Sequence, residues 1–262
     1  MNRIENRFLD LRSRDKKAFI AFVTAGDPAL ETTERLVLAF EKSGVDIVEL
    51  GVPFSDPLAD GPTIQAASQR ALRNGVTVEK IFESVRRIRR HSEIPLALMV
   101  YYNIIFHYGE NAFVAAAKGA GVDGLVFPDL PPEEAEGLIL AAREAEISTV
   151  FFISPTTTRE RMKKIISAST GFIYYVSITG VTGARQSLPA AMLNHVKAVK
   201  RLTDKPVCVG FGVSTAEQVK AVTQVADGVI VGSAIIKEIE KHEGRDDLVA
   251  SVSDFVKSLT SE

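Results

Sequence analysis

The amino-acid sequence predicts an α/β fold of the (β/α)8 (TIM) barrel class, with an extra helix before the first strand. The chain has 262 residues, which is close to the length typical of one such barrel. Eight short apolar runs alternate with segments of helical period, and near-continuous apolar runs are typical of parallel strands that are buried on both faces. We therefore expect residues 1–262 to form a single barrel domain.

The eight predicted strands are short runs rich in apolar and β-branched residues. They are Ala18–Thr24, Ile47–Leu50, Leu96–Tyr101, Gly124–Phe127, Thr149–Ile153, Phe172–Val176, Val207–Gly210 and Gly228–Val231. Eight strands in a chain of this length favour a closed barrel over an open, doubly wound sheet. The open sheet commonly carries a GxGxxG motif after its first strand, and Thr24–Pro28 lacks that motif.

Helical patterns fill the segments between the strands. Thr32–Ser43 and Glu133–Glu146 combine apolar residues at helical spacing with polar faces. Asn2–Arg14 precedes the first strand and carries its apolar residues, from Ile4 to Leu11, on one predicted face. We expect this segment to be the extra helix and to close the floor of the barrel.

Composition argues against several classes of protein. The formal net charge is −2, and the basic run Arg86–His91 lies on a helical pattern, where it forms a solvated face; we expect no nucleic-acid partner. Cys208 is the single cysteine, which predicts a buried thiol and no disulfide framework. No stretch reaches the ~20 apolar residues of a membrane span, and Met1–Lys17 has no apolar signal core. We expect a cytoplasmic protein with no membrane association.

Two carboxylates are the candidate catalytic pair. Glu49 lies inside the apolar run Asp46–Gly51, where an ionised carboxylate is costly unless it is paired, protonated or used in chemistry. Asp60 follows on a stiff loop rich in proline and glycine, which can fold a second carboxylate back over the strand end. Catalytic residues of these barrels sit at the carboxyl ends of strands. A structural role for Glu49, as partner of a buried hydroxyl or amide, remains the alternative.

Other acidic residues have simpler explanations. Asp27, Asp56 and Asp129 each stand next to or near prolines in predicted loops. Turn formation, helix capping or loop anchoring accounts for each of them as well as catalysis does.

Three Gly-rich segments follow the sixth, seventh and eighth predicted strands. They are Gly180–Gly183, Gly210–Ser214 and Gly232–Ala234. Loops at these places commonly hold a phosphate in (β/α)8 barrels, through backbone N–H groups and the N-terminus of a short helix. Because the chain has no GxxxxGK[ST] motif, we expect a small phosphate ester rather than a nucleoside triphosphate.

The ordered set of motifs resembles one family along nearly the whole chain, the tryptophan synthase alpha chain. The resemblance is carried by Phe22–Pro28, Glu49–Pro62, Gly180–Ala184, Gly210–Gly212 and Val231–Ala234. It implies a lyase that cleaves indole-3-glycerol phosphate into indole and glyceraldehyde 3-phosphate. One departure is Ile178, where many relatives carry a basic residue, so a loop-closing role for that charge is not carried over.

The resemblance also implies roles for individual residues. Glu49 would be the principal acid/base, and Asp60 would be the partner of the indole N–H. Tyr174 would stand near the Glu49 carboxylate. The implied substrate-binding residues also include the indole-walling Phe22, Tyr102 and Phe211, and Thr182, Gly183, Gly212, Gly232 and Ser233, of which the last four would contact the phosphate.

Residue types support acid/base chemistry without a cofactor. Cleavage is a retro-aldol step in which an acid protonates indole C3, a base takes the proton of the neighbouring hydroxyl, and a carboxylate stabilises the positive ring nitrogen. A Schiff-base aldolase needs a lysine near a strand end, but Lys17 and Lys205 stand before strands. A metal aldolase needs clustered ligands, and the four histidines lack ligand spacing; they are His91, His107, His195 and His242.

The resemblance further implies a partner, a pyridoxal-phosphate beta chain that receives indole in an α2β2 complex. Pro53–Leu58 and Pro128–Pro132 are predicted stiff loops with apolar tips on the active-site face, which suits a docking surface. Three alternatives stay open. They are another phosphate-binding barrel such as an isomerase, a lyase that acts without a partner, and an inactive barrel that only activates a beta chain.

Overall fold

The computed structural model describes residues 1–176, 190–210 and 212–260. Its strands are β1 Ala18–Thr24, β2 Ile47–Gly51, β3 Leu96–Met99, β4 Gly124–Val126, β5 Ser148–Val150, β6 Phe152–Ile153, β7 Ile173–Val176, β8 Val207–Gly210 and β9 Gly228–Val231. Its α-helices are α1 Arg3–Ser13, α2 Leu30–Lys42, α3 Pro62–Arg73, α4 Val78–Arg89, α5 Tyr102–Tyr108, α6 Glu110–Ala120, α7 Glu136–Glu144, α8 Arg159–Ala168, α9 Ala190–Lys200, α10 Ala216–Thr223, α11 Ser233–Lys241 and α12 Leu248–Thr260.

The strands form a parallel (β/α)8 barrel, which confirms the predicted fold class. Their order is β5-β4-β3-β2-β1-β9-β8-β7-β6, and the two end strands are separated only by Phe151. β5 and β6 are therefore two halves of the fifth predicted strand, and the chain itself joins the ends of the sheet. The third predicted strand was too long, because β3 ends at Met99 and Tyr101 lies beyond it.

Side chains of each strand alternate between the barrel interior and the surrounding helices. On β1, Ala18, Ile20 and Phe22 belong to the interior cluster, whereas Phe19 and Val23 pack outward with the helices. Both faces are therefore buried, as the near-continuous apolar runs indicated. The same alternation decides which side chains near the carboxyl ends of the strands point into the barrel.

Helix α1 closes the floor of the barrel, as the sequence predicted. A capping box between Asn2 and Glu5 fixes its start. Its buried residues Ile4, Phe8 and Leu11 join the interior cluster, which places the apolar face of α1 under the strands. The floor is tightly packed, because a β-carbon on Gly124 would lie 2.7 Å from Ile4.

Three aspartates tie neighbouring strands together at their amino-terminal ends. Asp46, Asp123 and Asp227 each directly precede a strand. Each carboxylate accepts the backbone N–H near the start of the adjacent strand, at 2.7 Å from Phe19, 2.9 Å from Leu96 and 3.0 Å from Val207 respectively. Charge-assisted bonds of this kind are stronger than neutral ones. They fix strand register at the end of the barrel opposite the predicted chemistry.

We predict that Asp123→Ala lowers the free energy of unfolding by about 3 kcal/mol. The carboxylate is 3% exposed, and its loss leaves the Leu96 N–H and the Arg89 guanidinium, 2.7 Å away, without their buried acceptor. Urea denaturation measures the change. Asp246→Ala, at an exposed position, is the control and should change stability by less than about 0.5 kcal/mol; equal losses in the two variants would contradict the role of Asp123.

Candidate active site

Glu49 lies in the apolar interior of the barrel. It is in register with Phe22 of β1 and Ala97 of β3, and it is fully buried. Neither carboxyl oxygen has a hydrogen-bond partner within residues 1–176, 190–210 and 212–260. Burial, with a smaller contribution from the negative charge of Asp60, raises the pKa of Glu49 to about 8. At neutral pH this carboxyl therefore holds a proton that it can donate.

Asp60 lies on the loop between β2 and α3. Burial raises its pKa to about 6, and a hydrogen bond from the Tyr101 hydroxyl opposes that rise. The same hydroxyl accepts the Ala59 N–H at 3.1 Å, and the Phe54 ring stacks on the Tyr101 ring with centroids 5.1 Å apart. Tyr101 thus fixes the loop at both of its ends and holds the Asp60 carboxylate toward the mouth of the barrel.

The two carboxyls have unequal proton affinities. The pKa of Glu49 is about 8 and that of Asp60 about 6, so near pH 7 Glu49 is mostly protonated while Asp60 is mostly ionised. Two acidic groups whose environments separate their pKa values are a common arrangement for an acid and a charge-stabilising carboxylate in one site.

Two aromatic rings lie over glycines at the mouth of the barrel. A β-carbon on Gly51 would lie 2.6 Å from the Phe22 ring, and one on Gly210 would lie 2.5 Å from the Tyr174 ring. Glycine at these strand ends therefore makes room for the rings. Burial of its hydroxyl raises the pKa of Tyr174 well above the ordinary tyrosine value, and the charge of Glu49 raises it further. The charge of Glu49 thus acts on the Tyr174 hydroxyl inside the barrel.

Gly232 and Ser233 form the start of helix α11. Gly232 is the N-cap residue and Ser233 is the first helical residue, so the N–H groups of the first turn point out of the helix end, where an anion is favoured. Gly212 has a φ of +44°, a left-handed conformation that favours glycine. Thr182, Gly183, Phe211 and Ile178 lie outside the described residues.

The neighbouring residues Tyr101 and Tyr102 contact different acidic side chains. The Tyr102 hydroxyl donates to Glu110 at 2.8 Å, and its N–H donates to Asp129 at 2.9 Å, whereas Tyr101 contacts Asp60. Sequence reasoning named Tyr102 and missed Tyr101. The rule that chemistry follows strand ends could have drawn attention to Tyr101, since it stands two residues after β3.

The other loop carboxylates act as anchors. Asp27 is buried and accepts two hydrogen bonds from the Arg70 guanidinium, at 2.7 and 2.9 Å. Arg70 also pairs with Glu240 at 3.2 Å, so one side chain joins the loop after β1 to helices α3 and α11. Asp129 accepts the Tyr102 N–H. These contacts agree with loop anchoring for Asp27 and Asp129.

The two loops that were expected to have apolar tips differ. Leu58 is 94% exposed, which confirms the expectation for the Pro53–Leu58 loop, but Leu130 is only 6% exposed. The expectation for Pro128–Pro132 was wrong, because Leu130 packs into the cluster between strands and helices. Phe106 on α5, the helix that follows β3, is another exposed apolar side chain, at 69%.

A cleft of about 600 Å³ lies at the opposite end of the barrel, between α1 and the segments that precede β1 and β8. Lys205 lines it and donates to the Ser169 carbonyl at 2.6 Å. The amino-terminal face of such barrels serves stability rather than chemistry. We therefore place the candidate active site at the other end, with Glu49 and Asp60.

In the described part of the chain, no group of three or more histidine, cysteine, aspartate or glutamate side chains is arranged to hold a metal ion. Among the described helices, none is both long and apolar enough to cross a membrane. Cys208 is buried, as expected.

Comparison with known proteins gives one consistent result. The family profile described as tryptophan synthase alpha chain matches residues 8–261. The tryptophan synthase alpha chain of Geotalea uraniireducens is 50% identical over 99% of this chain and 97% of its own length. The structure of tryptophan synthase subunit alpha from Legionella pneumophila has a TM-score of 0.90 at 39% identity, covering 99% of this chain and 97% of that one.

A structure of the tryptophan synthase α2β2 complex from Pyrococcus furiosus is also similar. The TM-score is 0.88 at 42% identity, and the match covers 92% of this chain and 97% of that one.

We predict that Glu49→Gln makes the fold more stable, and that the gain grows with pH. The folded pKa of Glu49, about 8, lies above its unfolded value of about 4.3. The stability contributed by the bound proton is therefore present below the unfolded pKa and is lost as pH rises through about 8. Glutamine cannot ionise and keeps that stability. Urea denaturation between pH 5 and 9 measures the difference.

The control is Glu144→Gln, at an exposed position on α7. The free energy of unfolding of this control should differ from that of the unsubstituted protein by the same amount at every pH. A Glu49→Gln gain that does not depend on pH would mean that the carboxyl is not held in its protonated form.

Proposed function

The chain belongs to the tryptophan synthase alpha chain family, and on that premise we propose that it cleaves indole-3-glycerol phosphate to indole and glyceraldehyde 3-phosphate with Glu49 and Asp60. The proposal rests on the two neighbouring carboxyls and the difference between their pKa values. A buried carboxyl whose pKa is about 8 stands at the barrel mouth beside a carboxyl whose pKa is about 6. The family's reaction needs a proton donor and a stabilising negative charge.

Protonated Glu49 gives its proton to indole C3. The ring then carries a positive charge that is shared with its nitrogen, and ionised Asp60 stabilises this charge through the ring N–H. Glu49, now a carboxylate, takes the proton of the hydroxyl on the carbon attached to C3. That C–O bond becomes a carbonyl, the bond to C3 breaks, and its electron pair returns to the ring. Indole and the aldehyde leave, and Glu49 is protonated again.

Tyr101 positions Asp60 in this scheme. Its hydroxyl bonds both the Asp60 carboxylate and the Ala59 N–H, so the charge is fixed before the substrate arrives. Phe22 and Tyr174, whose rings lie over strand-end glycines, line the apolar part of the mouth. Tyr102 remains a candidate from the resemblance alone.

The phosphate of the substrate binds at the start of α11. The N-cap Gly232 and the first helical residue Ser233 offer N–H groups with the positive end of a helix dipole. Gly212, Thr182 and Gly183 are further candidates by resemblance.

Tryptophan synthase beta chain is the proposed partner, in an α2β2 complex, as in the similar Pyrococcus furiosus assembly. Leu58 and Phe106 are exposed apolar groups on the active-site side of the barrel, which suits a docking surface. Leu58 lies on the loop that carries Asp60, so a partner that docks on Leu58 further restrains the loop that Tyr101 already holds, and this couples docking to catalysis. We further propose a cytoplasmic, single-domain protein.

We predict that Glu49→Gln lowers kcat for indole formation by about 10³-fold, because the amide keeps the shape of the side chain but has no proton to transfer. Asp60→Asn should lower kcat roughly 10²-fold with little change in KM, because only the charge is lost. Indole release is followed by absorbance, and the absence of tryptophan from the chain keeps the background low. Turnover by Glu49→Gln at the unsubstituted rate would refute the assignment.

We predict that Gly232→Asp weakens binding of glycerol 3-phosphate about a hundredfold, since it brings a negative side chain to the N–H groups of the α11 terminus. Calorimetric titration measures the affinity. Gly119→Asp adds the same charge on an exposed part of α6 and should leave affinity unchanged, and Gly232→Ala separates size from charge. Equal affinities of all three variants for glycerol 3-phosphate would mean that the phosphate does not bind at the start of α11.

We predict that a cognate beta chain accelerates indole production, and that Pro57→Ala reduces this acceleration more than it reduces stability, because the stiffness of the Asp60 loop is lost. Steady-state rates with and without the beta chain provide the test, with thermal unfolding as the stability measure. The control is Leu140→Ala, at an exposed apolar position on α7, which should leave the acceleration by the beta chain unchanged. No stimulation and no complex by sedimentation would favour a lyase that acts alone.

A further inference from the structure

Thr24 carries a buried hydroxyl that the scheme above does not use. It is the last residue of β1 and is 1% exposed. Its Oγ1 has no hydrogen-bond partner within residues 1–176, 190–210 and 212–260. Buried hydroxyls are nearly always bonded, because leaving one unpaired costs the free energy of its desolvation. A hydroxyl kept in this state therefore calls for a partner that the described residues do not supply.

The alternation along β1 places this hydroxyl on the interior side of the barrel. Ile20 and Phe22 belong to the interior cluster, and Thr24 is the next residue of the same parity. It is in register with Gly51, as Phe22 is with Glu49. Thr24 thus lies one layer nearer the mouth than the Glu49 carboxyl, on the adjacent strand.

Strand order places Thr24 between the two ends of the proposed substrate site. β1 pairs with β9 on one side and with β2 on the other. The start of α11, at Gly232 and Ser233, directly follows β9, and β2 carries Glu49. A substrate whose phosphate lies at α11 and whose reacting carbon lies at Glu49 must run its glycerol chain across the end of β1.

We propose that the Thr24 hydroxyl binds a hydroxyl group of the substrate's glycerol chain. The inference rests on the proposed function, and it assigns Thr24 as a substrate-binding residue that selects a polyhydroxylated chain between ring and phosphate. Glu49 shows the same feature, a buried polar group without a partner in the described chain. Thr24 and Glu49 therefore present polar atoms from neighbouring strands to the middle of the substrate.

Two variants separate the hydroxyl from the shape of the side chain. Thr24→Val replaces the hydroxyl by a methyl group of similar size, and Thr24→Ser keeps the hydroxyl. Two ligands separate the glycerol hydroxyls from the rest of the substrate. One is indole-3-glycerol phosphate, and the other is an analogue in which a plain propyl chain joins the indole ring to the phosphate.

If the Thr24 hydroxyl contacts the glycerol chain, its removal should weaken the reaction of the substrate but not the binding of the propyl analogue. Thr24→Val should lower kcat/KM for the substrate about tenfold, while its affinity for the propyl analogue by calorimetry stays within about twofold of the unsubstituted protein. Thr24→Ser should retain most of the kcat/KM. The melting temperature of Thr24→Val should be unchanged or higher, because the variant removes an unpaired buried hydroxyl.

Three results would overturn the inference. They are an unchanged kcat/KM in Thr24→Val, an equal loss of affinity for the propyl analogue, and a lower melting temperature in Thr24→Val that accounts for the loss of activity. Failure of the proposed function is distinct from these, because the unsubstituted chain would then release no indole from indole-3-glycerol phosphate; that outcome overturns both proposals.

Discussion

A carboxyl group held in the apolar interior of a closed barrel, without a hydrogen-bond partner among the described residues, is the constraint on which the proposed chemistry depends. Glu49 is enclosed because β2 pairs on both sides, with β1 and with β3, and because α1 fills the barrel floor. Water cannot solvate the charged form in such a place, so the neutral form is favoured. The barrel thereby keeps a carboxylic acid protonated near neutral pH, through burial and the neighbouring charge of Asp60.

The two ends of the barrel differ in whether their buried polar groups are paired within the described residues. At the amino-terminal end, Asp46, Asp123 and Asp227 are satisfied by backbone N–H groups. At the mouth, Glu49 and Thr24 have unpaired polar atoms within the described chain. Unsatisfied groups weaken a fold, and they are tolerated where the opposite end supplies strong, specific bonds. The division follows the general rule that barrel chemistry belongs to strand carboxyl ends.

Sequence alone was sufficient for the fold class, the floor helix and the place of Glu49 inside the barrel, because each leaves a pattern. Glu49 is an acid inside an apolar strand, and the face of α1 repeats at helical spacing. Tyr101 was missed because two tyrosines stand side by side, and which one reaches Asp60 depends on where β3 ends. A one-residue difference at a strand end exchanges the sides to which neighbouring side chains point.

Other features left weaker signals. Asp46, Asp123 and Asp227 precede strands in the segments Val-Asp-Ile, Val-Asp-Gly and Ala-Asp-Gly, but a loop aspartate has many roles. Only the structure shows that each bonds the strand before its own in the chain. Leu130 looked like an exposed tip because it lies among prolines, yet it is buried. Burial depends on neighbours far away in sequence. The unpaired hydroxyl of Thr24 has no signature in sequence, since threonine is common in strands.

Infrared difference spectroscopy measures directly whether Glu49 is a neutral acid near pH 7. The spectrum of the unsubstituted protein minus that of Glu49→Gln isolates the C=O stretch of the protonated carboxyl. This band should persist through neutral pH and disappear with a midpoint at about 8. A midpoint near the ordinary glutamate pKa of about 4.3 would refute the proposed role of Glu49, because the carboxyl would then be ionised at pH 7 and would have no proton to give to the indole ring.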